Sequence, residues 1–170
     1  MGYTLVLGGA RSGKSDLARR LGVDSGRAVT FVATATSGDD EMAQRIAHHR
    51  ASRPAGWSTV EAPLDLRAAI HGAGADDFVV VDCLTLWVSN LLGDGRGPDE
   101  VTSLAEEAAR AMAVRDGVVV SNEVGLGIVP ANALARTYRD VLGAVNVIFA
   151  ACSQRSLLMV AGRALDLKAT

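Results

Sequence analysis

Apolar residues in this chain gather in short blocks, and the stretches between them carry apolar positions at helical spacing. Five blocks have strand length: residues 4–7, 28–33, 78–81, 118–120 and 157–160. Residues 57–61 form a weaker sixth. Residues 164–168, beyond the Gly162-Arg163 turn, predict a short edge strand. The helical stretches are 14–21, 39–50, 64–70, 84–92, 98–114 and 131–151. Gly143 marks a point where the last could kink or break, and it is drawn as one helix. Strands alternating with helices predict βαβ crossovers and a mostly parallel sheet. The strand blocks are continuously apolar, as suits a sheet covered on both faces. The expected class is α/β. No repeat is evident, and the Gly93–Pro98 loop reads as a surface connection within one domain spanning residues 1–170.

In open α/β sheets ligands bind beyond the carboxyl ends of the strands, so the residues after each strand carry the chemistry. The first of these segments reads Gly8-Gly9-Ala10-Arg11-Ser12-Gly13-Lys14-Ser15. It is the P-loop pattern, with an apolar strand before it and a helix-compatible run after it. Its backbone N–H groups and helix N-terminus would cradle a nucleoside triphosphate. Lys14 would reach the β- and γ-phosphates, and the Ser15 hydroxyl would hold Mg²⁺. Positive charge elsewhere is carried by 15 Arg against two Lys, Lys14 and Lys168, so a compact ammonium has been kept where a phosphate needs one.

A second apolar strand ends in Asp82. Beside a P-loop this suits a carboxylate near Mg²⁺, and a helix-capping role is the alternative. Two of the three histidines are adjacent, His48 and His49, at the end of the predicted helix 39–50, with Ser37 as a candidate N-cap. Arg45, Arg50 and Arg53 surround them. Basic groups suit a helix C-terminus. An imidazole can also attack the α-phosphorus of a nucleotide to form a phosphoramidate, with neighbouring arginines offsetting phosphate charge. The sequence pattern leaves both readings open.

Hydrophobic residues make up 49% of the 170 residues and charged residues 21%, with a net charge of −2. There is no overall basic field for nucleic acid. No apolar run is long enough to span a bilayer, and no secretion signal is evident, so a cytoplasmic enzyme is expected. Cys83 and Cys152 have neither metal-ligand nor disulfide-framework spacing and read as small buried apolar residues. His71 reads as an ordinary helix-end residue, and Trp57 and Trp87 as packing residues.

Taken together, the chain resembles the bifunctional adenosylcobinamide kinase/adenosylcobinamide-phosphate guanylyltransferase family of cobalamin biosynthesis. Four stretches carry the likeness: the P-loop; Asp40 to Arg50 with Arg53-Pro54 and Trp57; Asp82-Cys83-Leu84-Thr85 leading to Asn90-Leu91-Leu92; and Ser121-Asn122-Glu123-Val124-Gly125-Leu126-Gly127-Ile128-Val129-Pro130. The resemblance implies a RecA-like P-loop NTPase fold, a mostly parallel sheet flanked by helices, and a homotrimer with sites near subunit contacts. It implies phosphorylation of adenosylcobinamide by ATP or GTP. It further implies transfer of GMP from GTP, through a guanylyl-histidine, to adenosylcobinamide phosphate. The guanylylated residue falls on His48. Nucleotide contacts fall on the P-loop, Thr34-Ala35-Thr36, His49-Arg50-Ala51-Ser52, Glu61 and Asp82, with Ser15 and Asp82 on the metal side. Asp82 stands where family members often carry Glu, and the 84–92 helix with its following loop is short.

Glu123 follows the strand 118–120. It is a candidate base or metal partner for hydroxyl activation, or else a residue that orders the Gly125/Gly127 loop. Two other functional readings stand beside the bifunctional one. One is a monofunctional P-loop kinase of a small metabolite. The other is a nucleotide-switch module, which the missing guanine-reading Asn-Lys-x-Asp signature disfavours.

Overall fold

Strands that are apolar on both faces need cover on both faces, and the structure supplies it with one helix layer on each side of a seven-stranded sheet. The structure is a computed structural model that describes residues 2–36, 44, 47, 50, 51 and 53–169. In chain order the elements are β1 (Tyr3–Gly8), α1 (Lys14–Asp24), β2 (Val29–Ala33), β3 (Ser58–Glu61), α2 (Leu66–Gly72) and β4 (Phe78–Asp82). There follow α3 (Leu84–Gly93), α4 (Pro98–Ala113), β5 (Gly117–Val120), α5 (Ala133–Cys152), β6 (Arg155–Val160) and β7 (Arg163–Leu167). Gln44, Ala47, Arg50 and Ala51 are helical and exposed, within or next to the predicted helix 39–50. Ser37 lies outside the described residues.

The strand order is β3-β2-β4-β5-β1-β6-β7. Every pairing is parallel except β6 with β7, so the expected short edge strand runs antiparallel. Side-chain alternation splits each central strand between two cores. Leu5 and Leu7 of β1, with Val79 and Val81 of β4, join Trp87, Leu91, Met112, Leu142 and Phe149 under α2 to α5. Val6 and Val80 face the other way, onto Ala18 of α1, Phe31 and Met159.

Caps set the helix starts that periodicity placed two residues early. The Asp65 carboxylate accepts from the Ala68 N–H, and Asn132 Oδ1 accepts from those of Leu134 and Ala135, so α2 and α5 begin after these residues. α1 runs three residues beyond the expected Leu21 because Gly22 continues it under Trp57. A Cβ there would lie 2.7 Å from the indole. α5 passes Gly143 unbroken, since its apolar face of Val141, Leu142, Val145 and Phe149 stays buried on both sides of the glycine. The tryptophans pack as expected. Trp87 is buried and its indole N–H donates to the Leu64 carbonyl at 2.8 Å, while Trp57 stacks on Phe31.

Candidate active site

The P-loop leaves β1 at Gly8, whose φ of 151° suits glycine. A Cβ there would lie 2.6 Å from the Met159 carbonyl oxygen and 2.7 Å from Ser12 Oγ. Positive φ at Arg11 (54°) and Gly13 (97°) curls the loop in the manner of an anion nest. Gly13 is the N-cap of α1, so Lys14 and Ser15 open that helix where its positive end favours phosphate. Lys14 is buried, and its Nζ donates to the Gly9 carbonyl at 2.6 Å. Burial lowers its pKa below the usual lysine range, against the pull of Cys83 and Asp82, which favour the ammonium. A concavity of about 420 Å³ on the loop is lined by Arg11, Ser12, Gly13, Lys14, Ser15 and Asp16.

A neighbouring cleft of about 360 Å³ joins this loop to the other strand ends. Ala10, Arg11, Lys14 and Ser15 line one wall, and Asp82, Cys83, Thr85 and Leu86 line another. The Ser15 hydroxyl donates to Asp82 Oδ2 at 3.4 Å. The N-cap of α3 is Cys83, so Asp82 stands one residue ahead of the capping position, with its carboxylate on the P-loop. A hydroxyl and a carboxylate side by side are hard oxygen donors of the kind Mg²⁺ takes, alongside phosphate oxygens and water. The residues fit the metal.

The third wall is basic and aromatic, made by Phe31, Ala33, Ala35, Arg50, Arg53 and Glu61. Arg50 pairs with Glu61. Arg53 places its guanidinium carbon 3.7 Å from the Phe31 ring centroid and donates to Thr59 Oγ1 at 3.2 Å. Thr34 is fully buried and works as a clamp. Its Oγ1 donates to the Cys83 carbonyl at 2.7 Å and accepts from the Cys83 N–H at 2.8 Å. Its carbonyl accepts from Asn90 Nδ2 at 2.7 Å. These bonds lock the end of β2 to the end of β4.

Of the residues expected at the site, Ala10, Arg11, Lys14, Ser15, Ala35, Arg50, Glu61 and Asp82 line the cleft. Gly8, Gly9, Ser12 and Gly13 shape the loop. Thr34 braces the site from behind, Thr36 Oγ1 donates to Asn90 Oδ1 at 3.4 Å, and Ala51 is exposed on its helix. His48, His49 and Ser52 lie outside the described residues. Glu123 is not among the lining residues. Its Oε1 accepts from the Gly125 N–H at 2.6 Å, the bond expected of a residue that orders this loop. Phe31, Cys83, Thr85 and Asn122 line the cleft without having been singled out as contacts. A signal existed for Asn122, which lies in a motif stretch at a ligand-bearing strand end.

Burial, helped by the Asp82 charge, pushes the Cys83 thiol up to about 11. Cys83 is therefore expected to resist iodoacetamide near neutral pH, since the thiolate is the reactive form. Peptide mass mapping across a pH series should show its labelling climb with the thiolate fraction until about pH 11. Alkylation of Cys83 at neutral pH as fast as a free thiol would contradict this.

The family model for cobinamide kinase / cobinamide phosphate guanyltransferase matches residues 4–167. The bifunctional adenosylcobalamin biosynthesis protein CobP of Pseudomonas aeruginosa is 46% identical over 172 residues, covering 96% of both chains. The corresponding CobU protein of Escherichia coli is 41% identical over 179 residues, covering 96% of this chain and 98% of its own. Among solved structures, the flagellar accessory protein FlaH of Methanocaldococcus jannaschii superposes with a TM-score of 0.53 at 15% identity. That match covers 98% of this chain and 78% of FlaH. The RadB recombinase gives 0.51 at 18% identity, covering 92% and 73%. Both share the RecA-like P-loop fold. With the P-loop, Asp82 and Arg50 gathered in one cleft and this similarity running almost end to end, the chain belongs to the cobinamide kinase/cobinamide phosphate guanyltransferase family.

Proposed function

We propose that this protein phosphorylates adenosylcobinamide with ATP or GTP and then transfers GMP from GTP to adenosylcobinamide phosphate, working as a single domain. The observation that carries the proposal is the shared cleft. Lys14, Ser15 and Asp82 make a triphosphate and metal wall, and Arg50 and Arg53 face it from the segment that follows His48. Mg²⁺ held by Ser15 and Asp82 would supply charge neutralisation between phosphate oxygens. In the first reaction Lys14 stabilises the charge on the β- and γ-phosphates as the γ-phosphoryl group moves to the substrate hydroxyl. In the second, a neutral His48 imidazole attacks the α-phosphorus of GTP and pyrophosphate leaves. The cobinamide phosphate then takes GMP from the histidine. His49, Arg50, Ala51, Ser52 and Glu61 belong to this nucleotide side, and Glu123 serves as the brace of its loop.

A cytoplasmic homotrimer fits this reading. Leu126 and Ile128, 86% and 97% exposed, give the loop after Glu123 an apolar surface suited to a subunit contact. No described helix is long and apolar enough to cross a membrane.

The test is a product assay. With Mg²⁺, GTP and adenosylcobinamide, mass spectrometry should show substrate gaining one phosphate and then GMP, with pyrophosphate released. Accumulation of the phosphate alone would favour a monofunctional kinase. No corrinoid product would reject the proposal.

A further inference from the structure

The face of α3 that enters the cleft continues beyond it. Thr85 and Leu86 line the cleft, and Ser89 and Leu92 line a second hollow of about 430 Å³ further along the same helix. Steps of three and four residues separate these positions, so their side chains form one stripe. At the helical rise, the stripe advances about 6 Å from Thr85 to Ser89 and about 10 Å from Thr85 to Leu92.

The opposite wall of the hollow comes from the start of α5. Leu134, Ala135 and Tyr138 line it from there, together with the N-cap residue Asn132. The lining is mainly apolar. Leu134 is nevertheless 68% exposed, so this wall is uncovered in the chain by itself. Tyr138 ties the hollow to the cleft, because its hydroxyl donates to the Thr85 carbonyl at 3.1 Å. Thr85 Oγ1 accepts in turn from the Asn122 N–H at 2.9 Å on the far side of the cleft. The route from one cavity to the other is therefore fixed by hydrogen bonds at the cleft end.

We propose that this hollow binds one apolar edge of the corrin macrocycle of adenosylcobinamide during phosphoryl transfer. The proposal rests on the reading that the protein phosphorylates that substrate in the cleft. The cleft, at about 360 Å³, is of a size for a nucleotide, so the ring has to lie outside it. The acceptor hydroxyl sits on a flexible, amide-linked arm. An arm the length of two extended residues reaches about 7 Å. With the hydroxyl beside Thr85, that reach sets the ring edge over the stretch from Ser89 to Leu92. The ring needs apolar contact on its face and hydrogen-bonding groups for the carboxamides at its edge. Leu92, Leu134 and Ala135 supply the first. The Ser89 hydroxyl and the Asn132 amide nitrogen supply the second. Continuity with the cleft favours a substrate over a second copy of the chain as the occupant.

The experiment is steady-state phosphorylation of adenosylcobinamide by the full-length protein and by Leu134→Asp and Ser89→Trp. Each protein is also titrated calorimetrically with GTP and sized by light scattering. Both positions are exposed, so neither change disturbs the core, and if one variant does not fold the other carries the test. The aspartate sets a charge against the ring, and the tryptophan fills the hollow. Each should raise KM for adenosylcobinamide about tenfold or more, as for the loss of one buried leucine contact. The kcat should stay within about twofold, since ground state and transition state lose the same contact. Affinity for GTP should not move. An unchanged KM in both variants overturns the site and leaves the proposed reaction standing. A GTP affinity that falls in step with the rise in KM overturns it as a general disturbance. A lower molar mass overturns it by making the hollow a subunit contact. A wild type that phosphorylates no corrinoid overturns the site together with the reading it rests on.

Discussion

The His48→Ala protein is expected to take up no label from GTP labelled at the α-phosphate, whereas the wild type becomes covalently marked. The expectation follows from the chemistry of nucleophilic catalysis. Guanylyl transfer in two steps needs a protein atom that accepts GMP and releases it, and a neutral imidazole nitrogen does both. His48 lies two positions before Arg50, which lines the cleft opposite Lys14, and Arg53 lines the same wall. Their guanidinium groups would offset charge gathering on the α-phosphate as it is attacked. The wild-type bond should be labile in acid and stable in base, as a phosphoramidate is. Loss of guanylyl transfer should be complete in the variant, and phosphoryl transfer to adenosylcobinamide should persist within a few-fold, because the proposed phosphoryl step does not use the histidine. Undiminished labelling of His48→Ala would end the claim that this residue carries GMP.

Lys14→Ala is expected to lower phosphoryl transfer by about 10²–10³-fold or more, the range found when one preorganised donor is removed from a charge-stabilising site. The ammonium is the buried cation on the P-loop and already contacts it through Gly9. Lys14→Arg should not restore the rate, since a planar guanidinium cannot take the place of a compact ammonium in a loop shaped this closely. The fold should survive, because neither core includes the lysine and the glycine turns of the loop do not depend on it. Kinetics with a matched urea melt check this. A kcat within tenfold of wild type would place the kinase site elsewhere.

On the proposed mechanism the two residues act on different phosphorus atoms, so the two variants should separate the reactions. That separation was partly legible in the chain alone. The P-loop spells out its own geometry, since each glycine, the lysine and the serine stand where a phosphate-binding turn needs them. Asp82 was legible as a strand-end carboxylate, and only its contact with Ser15 decided its direction. Thr34 and Glu123 show where local reading stops. Both stand at strand ends beside ligand-bearing loops. One is committed to Cys83 and Asn90, the other to Gly125, and these partners are set by three-dimensional packing.

The sequence by itself determined the α/β class, the phosphate-binding loop, the positions of the strands and the family likeness. These rest on local periodicity and on motifs whose spacing is their mechanism. The tertiary structure alone decided that β5 runs between β4 and β1, and hence that Asn122 lines the cleft while Glu123 braces the loop. The physical reason is that strand order comes from pairing between segments far apart in the chain. A shift of one residue past a strand end also turns a side chain to the opposite face.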